Sequence, residues 1–232
     1  MIYRFLSSEY ALEALQTKRL KLGRPSELND PADCNPRLIN LPDDTKCFYD
    51  DKSRNDYFRD VYRDFGILCF SATITEPVIW SHYADSHRGI ALGFEFHEER
   101  DAKFLYKVDY NEERPVVDYR LAQELRGDTS ELGQAKYIKN VIKSGFSSKA
   151  PSWNYEQEYR AFVWLGGCKM EGRNYFTHFL SKEVVLGLNC RLSEEDVLRA
   201  WGYDSGASPK ISRAELDEIN HSLKIRSVVS PT

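Results

Sequence analysis

The chain has 232 residues, 41% of them hydrophobic and 13% aromatic, with a formal net charge of −4. That is enough for a domain with a sizeable buried core, and it excludes the basic footprint of a non-specific nucleic-acid binder, leaving only a local patch for such a partner. No run approaches the roughly 20 apolar residues of a membrane helix, and MIYRFLSSEY lacks a signal peptide's basic and apolar regions, so the expectation is a cytoplasmic protein away from membranes, or one exported by a route that leaves no such signal.

IYRFL at 2–6 reads as a first strand, and SSEYALEALQTK as a helix capped by Ser7 or Ser8 with Leu12 and Leu15 at helical spacing. RLKLG alternates as a strand on Leu20 and Leu22, and RPSELNDPADCNP at 24–36 is a loop. The charged stretch 41–64 predicts an exposed helix or a mobile segment. GILCFSA at 66–72 is a buried strand, VIWSHYADSHRG a short helix and turn, and IALGFEF and FLYKVDY two more strands. ELGQAKYIKNVIKSGF places Leu132, Ile138, Val141 and Ile142 on one helical face. WNYEQEY at 153–159 and EYRAFVWLGG read as strand, as does KEVVLGL at 182–188. SEEDVLRAW has a serine cap and an acidic first turn, SRAELDEIN repeats that helix signature, and LKIRSVV closes as a strand. Helix and strand do not alternate strictly, so the expected class is α+β, a mixed and largely antiparallel fold with flanking helices, in a single domain over 1–232.

Five cysteines, Cys34, Cys47, Cys69, Cys168 and Cys190, are scattered with no CxxC pair, which argues for free thiols in a reducing compartment. The chain carries no GxGxxG, phosphate loop, GxSxG or HExxH. His82, Asp85 and His87 suggest a metal, but their i, i+3, i+5 spacing does not share one helical face, and hydrogen-bonded or substrate-orienting roles suit them better. Asn29, Asp30 and Asp33 either satisfy their own turn or line a pocket mouth. Arg4, in an apolar strand, either faces outward or stands at a cleft, where its planar fork suits phosphate. Ser71 at a strand end either caps a turn or faces a ligand. On a strand, Glu156, Glu158 and Arg160 share one face and Tyr155, Gln157 and Tyr159 the other. The carboxylates then form either a solvated edge or a pair at the floor of an aromatic-walled cleft.

The order of three short motifs resembles the Arg–Ser–Glu pattern of ADP-ribosyltransferases: "YR" in the first strand, "FSAT" ending a later one, and "APSWNYEQE" as the E-x-E. Only the first serine of the S-T-S-like second motif matches. The resemblance implies a split β core and NAD as substrate, with a protein or nucleic-acid acceptor. It implies Glu158 at the ribose 2′-hydroxyl, Glu156 as base toward the acceptor, Ser71 steadying the glutamate or the ribose, and Arg4 behind the aromatic Tyr3 at an NAD phosphate. It also implies an aromatic, Tyr83 or Trp80, stacked on nicotinamide, with His82 among the cofactor-binding residues. On this reading Glu158→Gln nearly abolishes activity while the fold survives.

A broader set of segments, LNDPADC, LCFSATITEPVIWSHYADSHRGIALGFEF, YEQEYR and EVVLGLNC, resembles the bacterial family called domain of unknown function twenty-nine seventy-one, over most of the chain. That family appears in defence and mobile-element settings, which implies a toxin or defence effector with an antitoxin or immunity partner. Two other classes fit the same residues: a paired-carboxylate glycosidase, and a non-catalytic nucleotide- or partner-binding module.

Overall fold

The computed structural model describes residues 1–40, 65–97, 105–128, 130–171, 174–178, 180–202 and 208–229. The stretch 41–64 and Cys47 lie outside the described residues. The fold is mixed α+β, built on an eight-stranded, mostly antiparallel sheet.

That sheet contains β1 (Ile2–Leu6), β4 (Phe65–Ser71), β5 (Ile90–Phe94), β6 (Leu105–Lys107), β10 (Glu158–Trp164), β13 (Glu183–Leu186), β14 (Lys210–Leu216) and β15 (Leu223–Val229), in the order β15-β14-β13-β5-β1-β4-β10-β6. The pair β13–β14 is parallel and the others are antiparallel. A three-stranded sheet joins β2 (Arg19–Leu22), β11 (Lys169–Glu171) and β12 (Asn174–His178), and two short parallel pairs join β3 (Arg37–Ile39) to β8 (Val116–Asp118) and β7 (Asp109–Tyr110) to β9 (Ser148–Lys149).

One seam in the large sheet matters for the site. β1 runs in full register with β5, from Ile2 opposite Phe94 to Leu6 opposite Ile90, yet meets β4 at a single pair, Tyr3 opposite Ser71. Beyond that pair the two strands part. Ile67 of β4 instead exchanges both backbone hydrogen bonds with Gly23, just after β2, at 2.9 Å each. The sheet is thus split, and the gap is a cleft; on its β4 side the backbone of Ile67 keeps its partners in Gly23, as buried backbone groups require.

Helix α1 (Ser8–Thr17), capped by Ser7, and α5 (Glu194–Trp201), with a Ser193–Asp196 capping box, cover one face. Their Ala11, Leu15, Val197 and Trp201 pack with Leu68, Phe70, Leu92 and Val184 of the sheet. The short α2 (Pro77–Tyr83) covers the other face through Ile79 and Trp80, packed with Tyr3, Phe5, Ala91 and Val185. Each such buried large side chain contributes roughly 1.5–3 kcal/mol. Helix α3 (Tyr119–Gly127), capped by Asp118, and α4 (Glu131–Tyr137), which runs on through a π-helical segment Ile138–Lys143 to Phe146, build a third cluster over Phe65 and Ile67.

Three sequence expectations are corrected. SRAELDEIN is not helical: Lys210–Leu216 is strand β14, held between β13 and β15, with Ile211 and Ala214 buried. Pairing on both sides outweighs a local helix-cap signature, because tertiary context overrides propensity. WNYEQEY is not a strand throughout: Pro151–Glu156 is a 3-10 helix, Gln157 is left-handed at φ 44°, and β10 begins at Glu158. FLYKVDY breaks at Val108, whose N–H donates to Glu158 O at 2.9 Å while Asp109 N–H donates to Ser147 O at 2.8 Å. The break sends β6 to β10 and β7 to β9.

Candidate active site

A cavity of about 540 Å³ occupies the split between β1 and β4, a size in the usual range of about 300–1,000 Å³ for ligand sites. Arg4, Phe5 and Leu6 line one wall and Ile67, Cys69 and Ser71 the other, with Glu156, Glu158 and Lys149 at the floor.

The floor is a buried ion network. β7 and β9 run side by side with Lys149 opposite Tyr110, which delivers Lys149 to the cavity. Its ammonium lies 2.6 Å from Glu156 Oε2, 3.4 Å from Glu158 Oε2 and 3.8 Å from Asp33 Oδ2, with its side chain 3% exposed. Arg160, fully buried, holds Glu158 with Nε to Oε1 and Nη2 to Oε2, both at 2.8 Å. On its other edge it holds Asp33, at 2.7 and 2.6 Å, and Nη1 also donates to Phe146 O at 2.8 Å. The alternation of β10 puts Glu158 and Arg160 on one side, as a strand requires. Glu156 arrives by another route: the left-handed Gln157 turns the chain so that it converges with Glu158 on Lys149.

The two glutamates differ electrostatically. Burial pushes the Glu158 carboxyl up, but the charge and hydrogen bonds of Arg160, with Lys149, outweigh it and hold the group down at about 2. Burial raises Glu156 above the ordinary carboxylate value, and Lys149 and the Tyr83 hydroxyl only partly offset this. Burial lowers Lys149, but Glu158 and Glu156 reverse that, and the ammonium is held above its usual range. Three carboxylates, Asp33, Glu156 and Glu158, face two cations, Lys149 and Arg160. With all of them ionised the floor carries one surplus negative charge.

The expected site residues divide clearly. Tyr83 donates to Glu156 Oε1 at 2.6 Å and accepts from Asn29 Nδ2 at 2.9 Å. Ser71 lies opposite Glu158 in the β4–β10 pairing, and its hydroxyl donates to the backbone oxygen of Glu156 at 2.6 Å and accepts from Thr73 N–H at 3.0 Å. Arg4 is half-buried and donates from Nη1 to Cys69 O at 2.9 Å, bridging the split. Among the described residues it has no carboxylate partner. Tyr3 lines the cavity and donates to Glu183 Oε2 at 3.2 Å; burial, then Glu183, pushes its phenol up to about 12. His82 stands exposed at the rim, 3.5 Å from the Tyr155 hydroxyl and beside the ring of Trp153.

Trp80 is the exception. It is fully buried, donates Nε1–H to Ile74 O at 2.8 Å and meets the Phe5 ring edge-on at 5.0 Å. It does not line the cavity and is out of reach for stacking there. Among the described residues no group of three or more His, Cys, Asp and Glu is placed to hold a metal ion.

Lys149 gave no signal in the sequence, because only the β7–β9 pairing brings it to the floor. Asp33 and Arg160 were visible as residues but not as partners. They lie 127 residues apart in sequence.

Residues 79–161 match the family described as Protein of unknown function (DUF2971). The match takes in Tyr83, Lys149, Glu156, Glu158 and Arg160. It corrects the expected extent, since LNDPADC, the strand ending at Ser71 and EVVLGLNC lie outside it. No curated protein and no solved structure matches the chain. No helix among the described residues is long and apolar enough to cross a membrane.

Proposed function

We propose that this cavity binds NAD and breaks its nicotinamide–ribose bond, passing ADP-ribose to a protein or nucleic-acid acceptor or to water. The supporting observation is a charge pattern. The guanidinium of Arg4, with no carboxylate partner among the described residues, stands on the wall of a cavity whose floor carries a surplus negative charge when Asp33, Glu156 and Glu158 are all ionised. A ligand with a phosphate at one end and a developing cation at the other fits that polarity.

In the reaction the C1′–N bond breaks and its electron pair leaves with the pyridinium nitrogen, so nicotinamide departs neutral without a general acid. C1′ becomes oxocarbenium-like. Glu158, held as an anion, lowers the energy of that charge through its field, since Arg160 occupies both of its oxygens. Glu156, whose carboxyl is raised, accepts the proton of the acceptor as it bonds to C1′. The split between β1 and β4 supports the ADP-ribosyltransferase-like reading of the core. A toxin or defence role, with an immunity partner, rests on the family setting alone.

A second reading has one specific observation in its favour. Two neighbouring carboxylates displaced in opposite directions are the equipment of a glycosidase. Against it, the bidentate grip of Arg160 leaves Glu158 poorly placed as a nucleophile.

The test is incubation of purified protein with NAD labelled in either half, with and without lysate, beside Glu156→Gln. Nicotinamide release lost in the variant supports the proposal, and label in the lysate identifies the acceptor. Turnover of oligosaccharides but not NAD favours the glycosidase. NAD binding without release favours a binding module.

A further inference from the structure

The turn from Asn29 to Asp33 lies outside the family match and, apart from Asp33's share of the floor's charge, takes no step in the chemistry above, yet both of its ends reach the floor. Asn29 Nδ2 donates to the Tyr83 hydroxyl at 2.9 Å, and that hydroxyl donates to Glu156 at 2.6 Å. Asp33 takes both terminal nitrogens of Arg160 at 2.7 and 2.6 Å, and Arg160 holds Glu158. The turn itself is tied internally, by Ala32 N–H to Asp30 Oδ1 at 2.8 Å, Asp33 N–H to Asp30 O at 3.1 Å and Cys34 N–H to Asp33 Oδ1 at 2.7 Å. Its two ends are therefore fixed relative to one another.

We propose that this turn is a two-armed positioning element, in which Asn29 orients Glu156 through Tyr83 and Asp33 orients Glu158 through Arg160. It rests on the reading of Glu156 and Glu158 as the working carboxylates for NAD. The arms are unequal. The Asn29 side is exposed and its hydrogen bond competes with water, whereas the Asp33 carboxylate is 1% exposed and its pairing is charged on both sides. Asn29 accordingly trims the site and Asp33 defines it.

The experiment has two readouts. In nicotinamide release, Asn29→Ala lowers kcat about threefold with KM unmoved, and the loss vanishes in a Tyr83→Phe background, because a residue acting through another is non-additive with it. Asp33→Glu, which keeps the charge but lengthens its reach, lowers kcat at least about tenfold. In the ligand-free protein, carboxyl-carbon NMR with resonances assigned by Glu156→Gln and Glu158→Gln reads the arms directly. Asn29→Ala moves mainly the Glu156 resonance and its titration, and Asp33→Glu mainly that of Glu158. Additive kinetic losses, or variants that move both glutamates equally or neither, overturn the proposal. If the wild type releases no nicotinamide, the NAD reading fails while the crossed NMR pattern still decides the positioning. If Asp33→Glu does not fold, Asp33→Asn takes its place in the NMR comparison.

Discussion

Lys149 Nζ lies 2.6 Å from Glu156 Oε2 and reaches Glu158 and Asp33 within 3.8 Å, so one buried ammonium serves three carboxylates. Lys149→Met leaves those carboxylates facing Arg160 alone. Uncompensated buried charge of this kind costs about 3–5 kcal/mol, and urea unfolding at pH 7 is expected to show a loss of that size. The pH dependence has a definite sign. Lys149 is held above its ordinary 10.5, so its stabilisation is complete at neutral pH and is lost only as pH rises through the raised value. In the variant Glu156 takes up a proton more readily, so the deficit shrinks as pH falls from 7 toward 4.5. A deficit independent of pH over that range argues that Lys149 contributes by packing alone.

The Glu158–Arg160 pair changes what a charge-removing variant does. The sequence reading expects Glu158→Gln to silence the site while the fold survives. Both oxygens of Glu158 are bound to a fully buried guanidinium, so the same variant is expected to cost about 3–5 kcal/mol of stability. Glu158 is depressed from 4.5 to about 2, so its contribution is present above 4.5 and is lost as pH falls toward 2. That shift corresponds to on the order of 3 kcal/mol. Glu156 has the opposite sign: its raised carboxyl favours folding below 4.5, and that advantage is lost as pH rises through the folded value. Glu156→Gln is therefore expected to lie within about 1 kcal/mol of wild type at pH 7 or above it, as at functional sites that trade stability for activity. Parallel denaturation of the two variants decides this, and equal costs contradict the division between an anchored and a working carboxylate.

Much of the frame is legible in the residues because local rules and tertiary context agree there. IYRFL, GILCFSA and LKIRSVV carry apolar strand patterns and are strands. The Ser7 cap and the Ser193–Asp196 box start the helices they predict. Glu156, Glu158, Arg4 and Ser71 stand out as polar residues in apolar surroundings, and all four line one cavity. What was not legible depends on long-range pairing. Lys149 is one charge in a serine- and proline-bordered stretch until β9 lies beside β7. Trp80 and Tyr83 are equivalent candidates until α2 packs, and then its apolar face takes Trp80 into the core and leaves Tyr83 at the cavity.

Arg4 is the cavity guanidinium without a carboxylate partner among the described residues, and its backbone is held opposite Leu92 in the β1–β5 pairing. Arg4→Gln keeps a donor for Cys69 O and removes the charge. Stability is expected to stay within about 1 kcal/mol of wild type. Affinity for NAD, followed by titration calorimetry, is expected to fall about tenfold or more, because a charge-assisted contact to phosphate is lost. Nicotinamide mononucleotide, with one phosphate fewer, tests which phosphate Arg4 meets. If the variant weakens the mononucleotide as much as NAD, Arg4 holds the phosphate nearer the nicotinamide ribose. Unchanged affinity for both removes Arg4 from the binding surface.

Gln157 decides whether the two glutamates converge. It sits at φ 44° and ψ 52°, exposed, between the end of a 3-10 turn and the first residue of β10. A residue with a Cβ pays roughly 1–2 kcal/mol for that conformation, and glycine pays none. Gln157→Gly is expected to gain up to about 1 kcal/mol, offset in part by the greater freedom of the unfolded chain. It should retain turnover, since the hydrogen bonds at 2.6 Å from Lys149 and from Tyr83 still hold Glu156. Gln157→Val, β-branched, resists the left-handed region most strongly. It is expected to swing Glu156 off Lys149, costing more than about 1 kcal/mol and lowering nicotinamide release about as far as Glu156→Gln does. The pair separates backbone shape from side-chain chemistry, because neither substitution touches a group that meets the ligand. If valine and glycine behave alike, the convergence of the carboxylates rests on the Lys149 and Tyr83 bonds and not on the turn.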